Sequence, residues 1–398
     1  MKSSLLLKPM YDIAIIGSGV LGSFHAFHAA KVGLRVAVFE KDLMPMESSV
    51  RNFGQVVPSG FAPGRWHYYG RYSTKLYLDL QQKIGIGVRN NGSVYLANTA
   101  CEAQLLDALH ESFNQVNYSS EPMNQQQVLS RWSSMKKDYV RSGLFFPQEV
   151  SVDPRIMIHR IHGYMIEQMG VDMHFLSPVI ELNDRGDKVE ISTSNGKKIQ
   201  AKQVIVCNGR DFKILFPELF NTSDIEVCKL AMMVTKPMPE IDLKGNILTG
   251  LTIRRYESFK ALPEYSNLLP DPKHEPLLKE GIHLLFKQRM DGSIVIGDSH
   301  HYRDVRESDA LGFDYETQVG DMILKAAQEI IQLPHWELAA QWNGFYAQMK
   351  GKAEIFDQAH SENIRVICAI GGKGMTASAG YAKESIERSF NLNLPNYE

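Results

Sequence analysis

The sequence predicts an α/β unit combined with an α+β unit, and three observations carry that prediction. A short β-branched strand ending in glycines, Tyr11–Ile16, feeds directly into a helix. A second strand–glycine–helix unit closes the chain, from Ile364 to Phe390. Between Glu226 and Ile296 the apolar runs are short and separated by turn residues, as in an antiparallel sheet. Parallel-sheet pieces thus lie at both ends and in the middle, with antiparallel pieces between them. This arrangement predicts a discontinuous, Rossmann-like domain from residues 1–85, 150–222 and 355–398. A substrate domain from residues 86–149 and 223–354 is inserted into it.

The elements follow in order. Tyr11–Ile16 is a buried parallel strand. The glycines at 17, 19 and 22 open a helix that runs to Lys31 and stops before Gly33. Leu34–Phe39 is a second strand, ending at Glu40. Helices are predicted over Ser73–Ile84, Thr99–Gln115 and Asn124–Trp132, and a strand over Gly92–Ala97. Asp153-Pro154 starts a helix, with Asp as the cap and Pro in the first turn, and Gly170 stops it. Val171–Leu182 and Gln203–Cys207 read as short strands. Further strands are expected at Cys228–Thr235, Gly250–Tyr256, His283–Lys287 and Ser293–Ile296, with Asp291-Gly292 as a hairpin turn between the last two. Leu262–Glu280 reads as a surface loop and Thr317–Ile331 as a helix.

Composition excludes several function classes. Lys plus Arg is 43 and Asp plus Glu is 45, a net charge of −2. That balance offers no basic stripe for nucleic acid and no polybasic membrane surface. No apolar run approaches the roughly 18 residues of a membrane span. The start, Met1 to Met10, leaves no room for a removable signal peptide before the first strand. The four cysteines are dispersed, without metal-ligand spacing. They read as reduced thiols of a cytoplasmic protein, and no metal is expected.

Gly17-Ser-Gly-Val-Leu-Gly22 with Glu40 is a dinucleotide-binding pattern. Gly17 permits the tight turn, Gly19 lets the backbone approach a pyrophosphate, and Gly22 lets the helix pack against the strand. The helix N-terminus offers N–H groups to the phosphates, and Glu40 can accept hydrogen bonds from a ribose. Ser48-Ser-Val-Arg-Asn-Phe-Gly-Gln-Val57 places small and hydrogen-bonding residues around Gly54. Gly371-Gly-Lys-Gly-Met-Thr376 aims backbone N–H groups from a second strand–helix junction. Two such junctions at opposite ends favour a large cofactor across one sheet, FAD rather than NAD.

These segments resemble the D-amino-acid oxidase/glycine oxidase/sarcosine oxidase family of FAD-dependent amine oxidoreductases, over nearly the whole chain. Ser49–Gln55, Cys228–Met233, Gly250–Phe259, Ile296–His300 and Gly374–Thr376 are similar to a subgroup associated with aminophosphonate catabolism. The resemblance implies that Gly17, Ser18, Gly19, Val20, Leu21, Gly22, Glu40 and Lys41 hold the ADP half of FAD. Ser49, Arg51, Asn52, Gly54 and Gln55 would pass along its phosphates and flavin. Val179 would meet the adenine, with Asn208-Gly209 as a glycine step nearby. Gly372, Lys373, Gly374, Met375 and Thr376 would meet the pyrimidine edge of the flavin. No side chain is nominated as catalytic, because the implied chemistry is carried by the flavin.

One departure matters for the substrate. Amino-acid-oxidising relatives carry Trp-x-Gly-x-Arg-Pro, whose Arg pairs with a carboxylate. Here the segment is Trp342-Asn-Gly-Phe-Tyr-Ala347, with Tyr346 at the Arg position. A phenol cannot replace a bidentate guanidinium. The segment also lacks a Cys, so non-covalent FAD is expected. Substrate-anion candidates are Tyr346, Arg254, Arg255, Lys229, His300 and Lys373, with His301 beside them. The two arginines lie in an expected strand, so only one should face inward. The aromatic run Trp66–Tyr72 reads either as a wall of the active site or as helix packing.

The implied function is oxidative deamination of 2-aminoethylphosphonate or its N-methyl or 1-hydroxy derivative. The products would be an aldehyde such as phosphonoacetaldehyde, an amine and hydrogen peroxide, with molecular oxygen as electron acceptor. A glycine/sarcosine-type oxidase is the nearest alternative. A flavin-containing RNA-modification or electron-transfer module and a nucleotide-binding scaffold are alternatives of other classes.

Overall fold

A computed structural model of the chain describes residues 10–396. The expectation of no signal peptide concerns residues 1–9, which lie outside the described ones. An eight-stranded mixed sheet forms around Tyr11–Ile16. That strand pairs in parallel with Val36–Phe39 on one side and with Lys198–Val206 on the other. Val36–Phe39 continues in parallel to Asp172–His174. Lys198–Val206 continues in parallel to Ile364–Cys368. The first and last expected strands therefore lie two strands apart in one sheet.

Apolar side chains cover both faces of this sheet, as a parallel sheet requires. On one face the helices Val20–Lys31, Arg65–Ile84, Pro154–Met169 and Gly374–Phe390 supply Phe24, Leu76, Met157 and Tyr381 to the core. Trp66, Tyr69 and Tyr72 belong to this helix core. Trp66 stacks on Tyr381 at 5.9 Å, so the aromatic run packs helices. On the opposite face Phe212, Phe220, Val227 and Phe345 join the mixed sheet to a second one.

That second sheet is nine-stranded and mostly antiparallel. Its spine is Ile225–Thr235, which pairs along its length with Leu338–Met349. It also pairs with Ile294–Gly297 and His301–Asp304. A small three-stranded sheet contains Gln55–Val56, Val150–Val152 and Val88–Arg89.

Local chemistry accounts for several boundaries. Asp153 Oδ1 accepts from the amides of Arg155 and Ile156 at 3.0 and 3.3 Å, and Gly170 ends that helix at φ +66°. Thr99 and Glu102 form a reciprocal cap on Ala100–Asn114. Gly292, at φ +84°, turns the hairpin between Leu285–Gln288 and Ile294–Gly297.

The structure corrects other expectations. Gly250–Tyr256 is not a strand: Gly250–Ile253 and Glu257–Lys260 are short helical segments. Thr249 Oγ1 and Thr252 Oγ1 both donate to Leu284 O, at 2.9 and 3.2 Å, which ties this segment to the chain before the strand Leu285–Gln288. Burial of Leu251, Thr252 and Ile253 in this position overrides the β preference of Thr252 and Ile253. The helix expected at Ser73–Ile84 begins at Arg65. Leu262–Glu280 contains helical turns at Pro263–Asn267, Pro272–His274 and Glu275–Lys279. Among the described residues, no helix is long and apolar enough to cross a membrane.

Candidate active site

The glycine pattern is built as its residue types require. Gly17 has φ +100°, and a Cβ there would lie 2.3 Å from Cys207 O. A Cβ on Gly22 would lie 2.0 Å from Gly17 O. The helix starting at Val20 has no side-chain cap from its N-cap residue Gly19. Instead Ser49 Oγ accepts from Val20 N at 2.9 Å, bringing the Ser48–Val57 loop over the helix end. Asn52 braces that loop, accepting from Gly54 N and donating to Ser48 O, both at 2.7 Å. Beneath it, the buried Lys287 ammonium donates to Phe53 O and Val152 O. Burial pushes that lysine down to about 7. Thr376 Oγ1 accepts from Val57 N at 3.2 Å, tying the loop to the C-terminal glycine turn.

These parts enclose a cavity of about 540 Å³. It reaches from Gly19, Val20, Leu21 and Gly22, past Ser49, Arg51, Asn52, Gly54 and Gln55, to the turn Gly372–Thr376. Gly209 also lines it. Six other sequence candidates do not line it. Gly17 and Ser18 precede the lining residue Gly19, and Ser18 donates from N and Oγ to Glu40 Oε2 at 3.0 and 2.9 Å. Lys41 pairs with Asp211 at 3.1 Å. Val179 starts a strand at the edge of the mixed sheet. Asn208 Nδ2 donates to Asp211 O. A glycine-walled channel at a helix N-terminus, leading to a second glycine turn, fits FAD.

Polar side chains gather in the part of the cavity lined by Arg255, His300, Tyr302 and Tyr346. Arg255 lies here, and its Nη2 donates to Tyr302 Oη at 2.7 Å. Among the described residues no carboxylate forms an ion pair with it. Tyr346 also lines this part, and burial pushes its phenol well above the usual range, so it remains a neutral donor. Lys373 lines the cavity too and pairs with Glu257 at 3.0 Å. Lys260 is a further lining cation that sequence reasoning missed.

Three anion candidates are elsewhere. Arg254 donates from Nε to Glu102 Oε1 at 3.0 Å, and that carboxylate is 1% exposed. One arginine of the pair faces inward, but through a helical turn and not through strand alternation. Lys229 is turned away by the two-residue period of its strand: Leu230 and Met232 line the cavity, whereas Lys229 Nζ donates to Leu311 O and Asp314 O at 2.9 and 2.8 Å. It also pairs with Glu316 at 3.1 Å. His301 is held by Glu280 at 2.8 Å.

His300 does line the cavity, but beside a carboxylate. His283 Nε2 lies 3.0 Å and His300 Nδ1 3.8 Å from Asp298 Oδ1. The two imidazoles stack at 5.1 Å. Burial works to raise Asp298, but its neighbours His300, His283 and Arg255 together outweigh it and hold the carboxyl below its usual range. Burial holds His300 down to about 3. Sequence spacing concealed this cluster. Only the pairing of His283 with Asp298, through backbone bonds of 3.1 and 2.9 Å, brings it together.

N-methyl-L-tryptophan oxidase of Escherichia coli (strain SMS-3-5 / SECEC) is 26% identical over 225 residues, 52% of this chain and 56% of that protein. The chain thus matches little more than half the length of this curated relative. Two solved structures share the fold. Glycine oxidase from Geobacillus kaustophilus gives a TM-score of 0.75 at 17% identity, over 98% of this chain and 96% of that one. L-alpha-glycerophosphate oxidase from Mycoplasma pneumoniae, solved with FAD bound, gives 0.75 at 15% identity, over 98% and 97%. The FAD dependent oxidoreductase (DAO) family matches residues 12–388, and the chain belongs to that family.

Proposed function

We propose that the chain oxidises the nitrogen-bearing carbon of a small aminophosphonate: 2-aminoethylphosphonate or its N-methyl or 1-hydroxy derivative. The products are an aldehyde such as phosphonoacetaldehyde, an amine and hydrogen peroxide. The reaction is assigned to the cytoplasm. In this reading the discontinuous domain holds FAD without a covalent link, and the inserted domain selects the substrate.

The observation that carries the reading is Arg255, a guanidinium in the cavity with no carboxylate partner among the described residues. Tyr302 already orients it. FAD, when bound, supplies two-electron oxidation. The chain's own residues bind and orient the substrate. A phosphonate has three acceptor oxygens and suits several dispersed donors. Arg255, Lys260, Tyr302 and Tyr346 supply donors of that kind on the cavity wall. Tyr346 contributes a neutral donor where the resembling amino-acid oxidases carry an arginine, and the charge enters from Arg255 on a different element.

The test is peroxide release from a substrate panel. 2-Aminoethylphosphonate and its N-methyl derivative are compared with β-alanine, glycine and sarcosine. Phosphonates should be turned over more efficiently, and equal turnover of the carboxylates would refute phosphonate recognition. The purified protein should be yellow, and acid or heat precipitation should leave FAD in the supernatant. Flavin retained in the pellet would contradict the non-covalent assignment.

A further inference from the structure

The cluster of Asp298, His283 and His300 is badly suited to an anion, because its carboxylate would repel one. It suits the opposite end of a zwitterion. An alkyl ammonium has no lone pair, so its carbon cannot be oxidised until one N–H proton has left. We propose that His300 Nε2 accepts this proton from the substrate's ammonium, with Asp298 stabilising the imidazolium that results. This assignment rests on the amine-oxidation reading above. The N–H bond of the ammonium breaks, its electron pair stays on nitrogen, and a new N–H bond forms on the imidazole.

The tautomer follows from geometry. His300 Nδ1 lies 3.0 Å from Gly281 O, and a carbonyl only accepts. The hydrogen of the neutral ring is therefore on Nδ1, which leaves the Nε2 lone pair without a protein partner among the described residues. The ring lines the cavity. Asp298 Oδ1 is buried and makes no hydrogen bond of good geometry, although His283 Nε2 is near it. A buried carboxylate in that condition favours a new positive charge on the adjacent ring.

The surrounding charges explain when the ring becomes basic. His283 and Asp298 face it from the paired strands, and Arg255 faces it from the helical turn. Tyr302 and Tyr346 are aromatic neighbours at 6.2 and 6.4 Å. Glu280 accepts from the His300 amide through its backbone and directs its carboxylate to His301. Lys260 and the Lys373–Glu257 pair line the same cavity. In the free cavity, burial, Arg255 and His283 outweigh Asp298, so the ring is neutral. A substrate anion on Arg255 cancels one lowering charge while Asp298 remains. The anionic end of the substrate thereby strengthens the acceptor for its cationic end.

The test uses the FAD-loaded enzyme and the His300→Gln variant, which can accept a hydrogen bond but not a proton. Anaerobic flavin reduction by the best amine is followed against pH. In the wild type the rate should level off below the solution pKa of the amine. In His300→Gln it should fall at least about a hundredfold at pH 7, then climb about tenfold per pH unit toward that pKa. The second readout is the ¹⁵N spectrum of histidine-labelled enzyme with 2-amino-2-methylpropylphosphonate, whose nitrogen-bearing carbon has no hydrogen to lose. An imidazolium signal should appear in the wild type and be missing in His300→Gln. Superimposable pH profiles, or no imidazolium signal, would overturn the assignment when both proteins retain FAD and the same melting temperature. Failure of every amine to reduce the wild-type flavin would instead overturn the amine reading itself.

Discussion

Replacing Arg255 and Arg254 separately by alanine should divide substrate recognition from stability. The two residues are adjacent, yet their surroundings differ completely. Arg255 lines the cavity, with Tyr302 as its hydrogen-bonded neighbour. Arg254 neutralises Glu102, which is 1% exposed. On the proposed aminophosphonate reading, removing Arg255 deletes one charge-assisted contact to the bound anion, about 1.5–3 kcal/mol. That corresponds to a loss of about tenfold to more than a hundredfold in kcat/KM. Because that reading puts the contact at the non-reacting end of the substrate, most of the loss should appear in KM. Removing Arg254 leaves a buried carboxylate without its partner, a cost of about 3–5 kcal/mol. The Arg254→Ala protein should melt several degrees lower and, where folded, keep a near-normal KM. The assays are peroxide release across substrate concentration and thermal unfolding followed by circular dichroism. Full kcat/KM in Arg255→Ala would refute the recognition argument and transfer the charge to Lys260 or Lys373. An unchanged melting temperature in Arg254→Ala would refute the account of the buried pair.

Two further outcomes follow from backbone packing and buried titrating groups. Gly22→Ala should lose FAD and stability, since its Cβ would meet Gly17 O at 2.0 Å. Gly163→Ala meets nothing within 4 Å and should keep FAD while gaining about 0.5–1 kcal/mol, as read from flavin content and melting temperature. Burial lowers His25, His67 and His162 to about 4 and His28 to about 3. The unfolded chain therefore binds more protons than the folded one between about pH 4 and 6.5. Stability should fall as pH drops through this window, by up to about 1.4 kcal/mol per pH unit for each histidine. Burial raises Glu149 to about 7, which works in the opposite direction. The four histidines outnumber it, so denaturation midpoints should fall from pH 6.5 to pH 4.5, and a flat profile would refute the argument.

Much of the glycine-walled part of the cavity was legible because its signals are local. A glycine at φ +100° and another whose Cβ would strike the backbone leave few alternatives in sequence. Asp153 before Pro154, Gly170 after Met169 and Gly292 in its hairpin act within a few residues of themselves. Each can be read without knowing what packs against it.

The polar part of the cavity depends on contacts between distant segments. Gly250–Ile253 reads as β-branched and apolar, but its neighbours in space make it helical, and that change places Arg255 in the cavity. The cluster around Asp298 arises from pairing with His283 across the hairpin, which no spacing within either segment announces. Lys229 carries the right charge, but Leu230 and Met232 occupy the cavity face of its strand. Residue type and local turn chemistry thus specify the strand–glycine–helix junctions of the sequence. Which side chains meet around a substrate is set by register, strand face and burial, because those exist only after the chain has closed on itself.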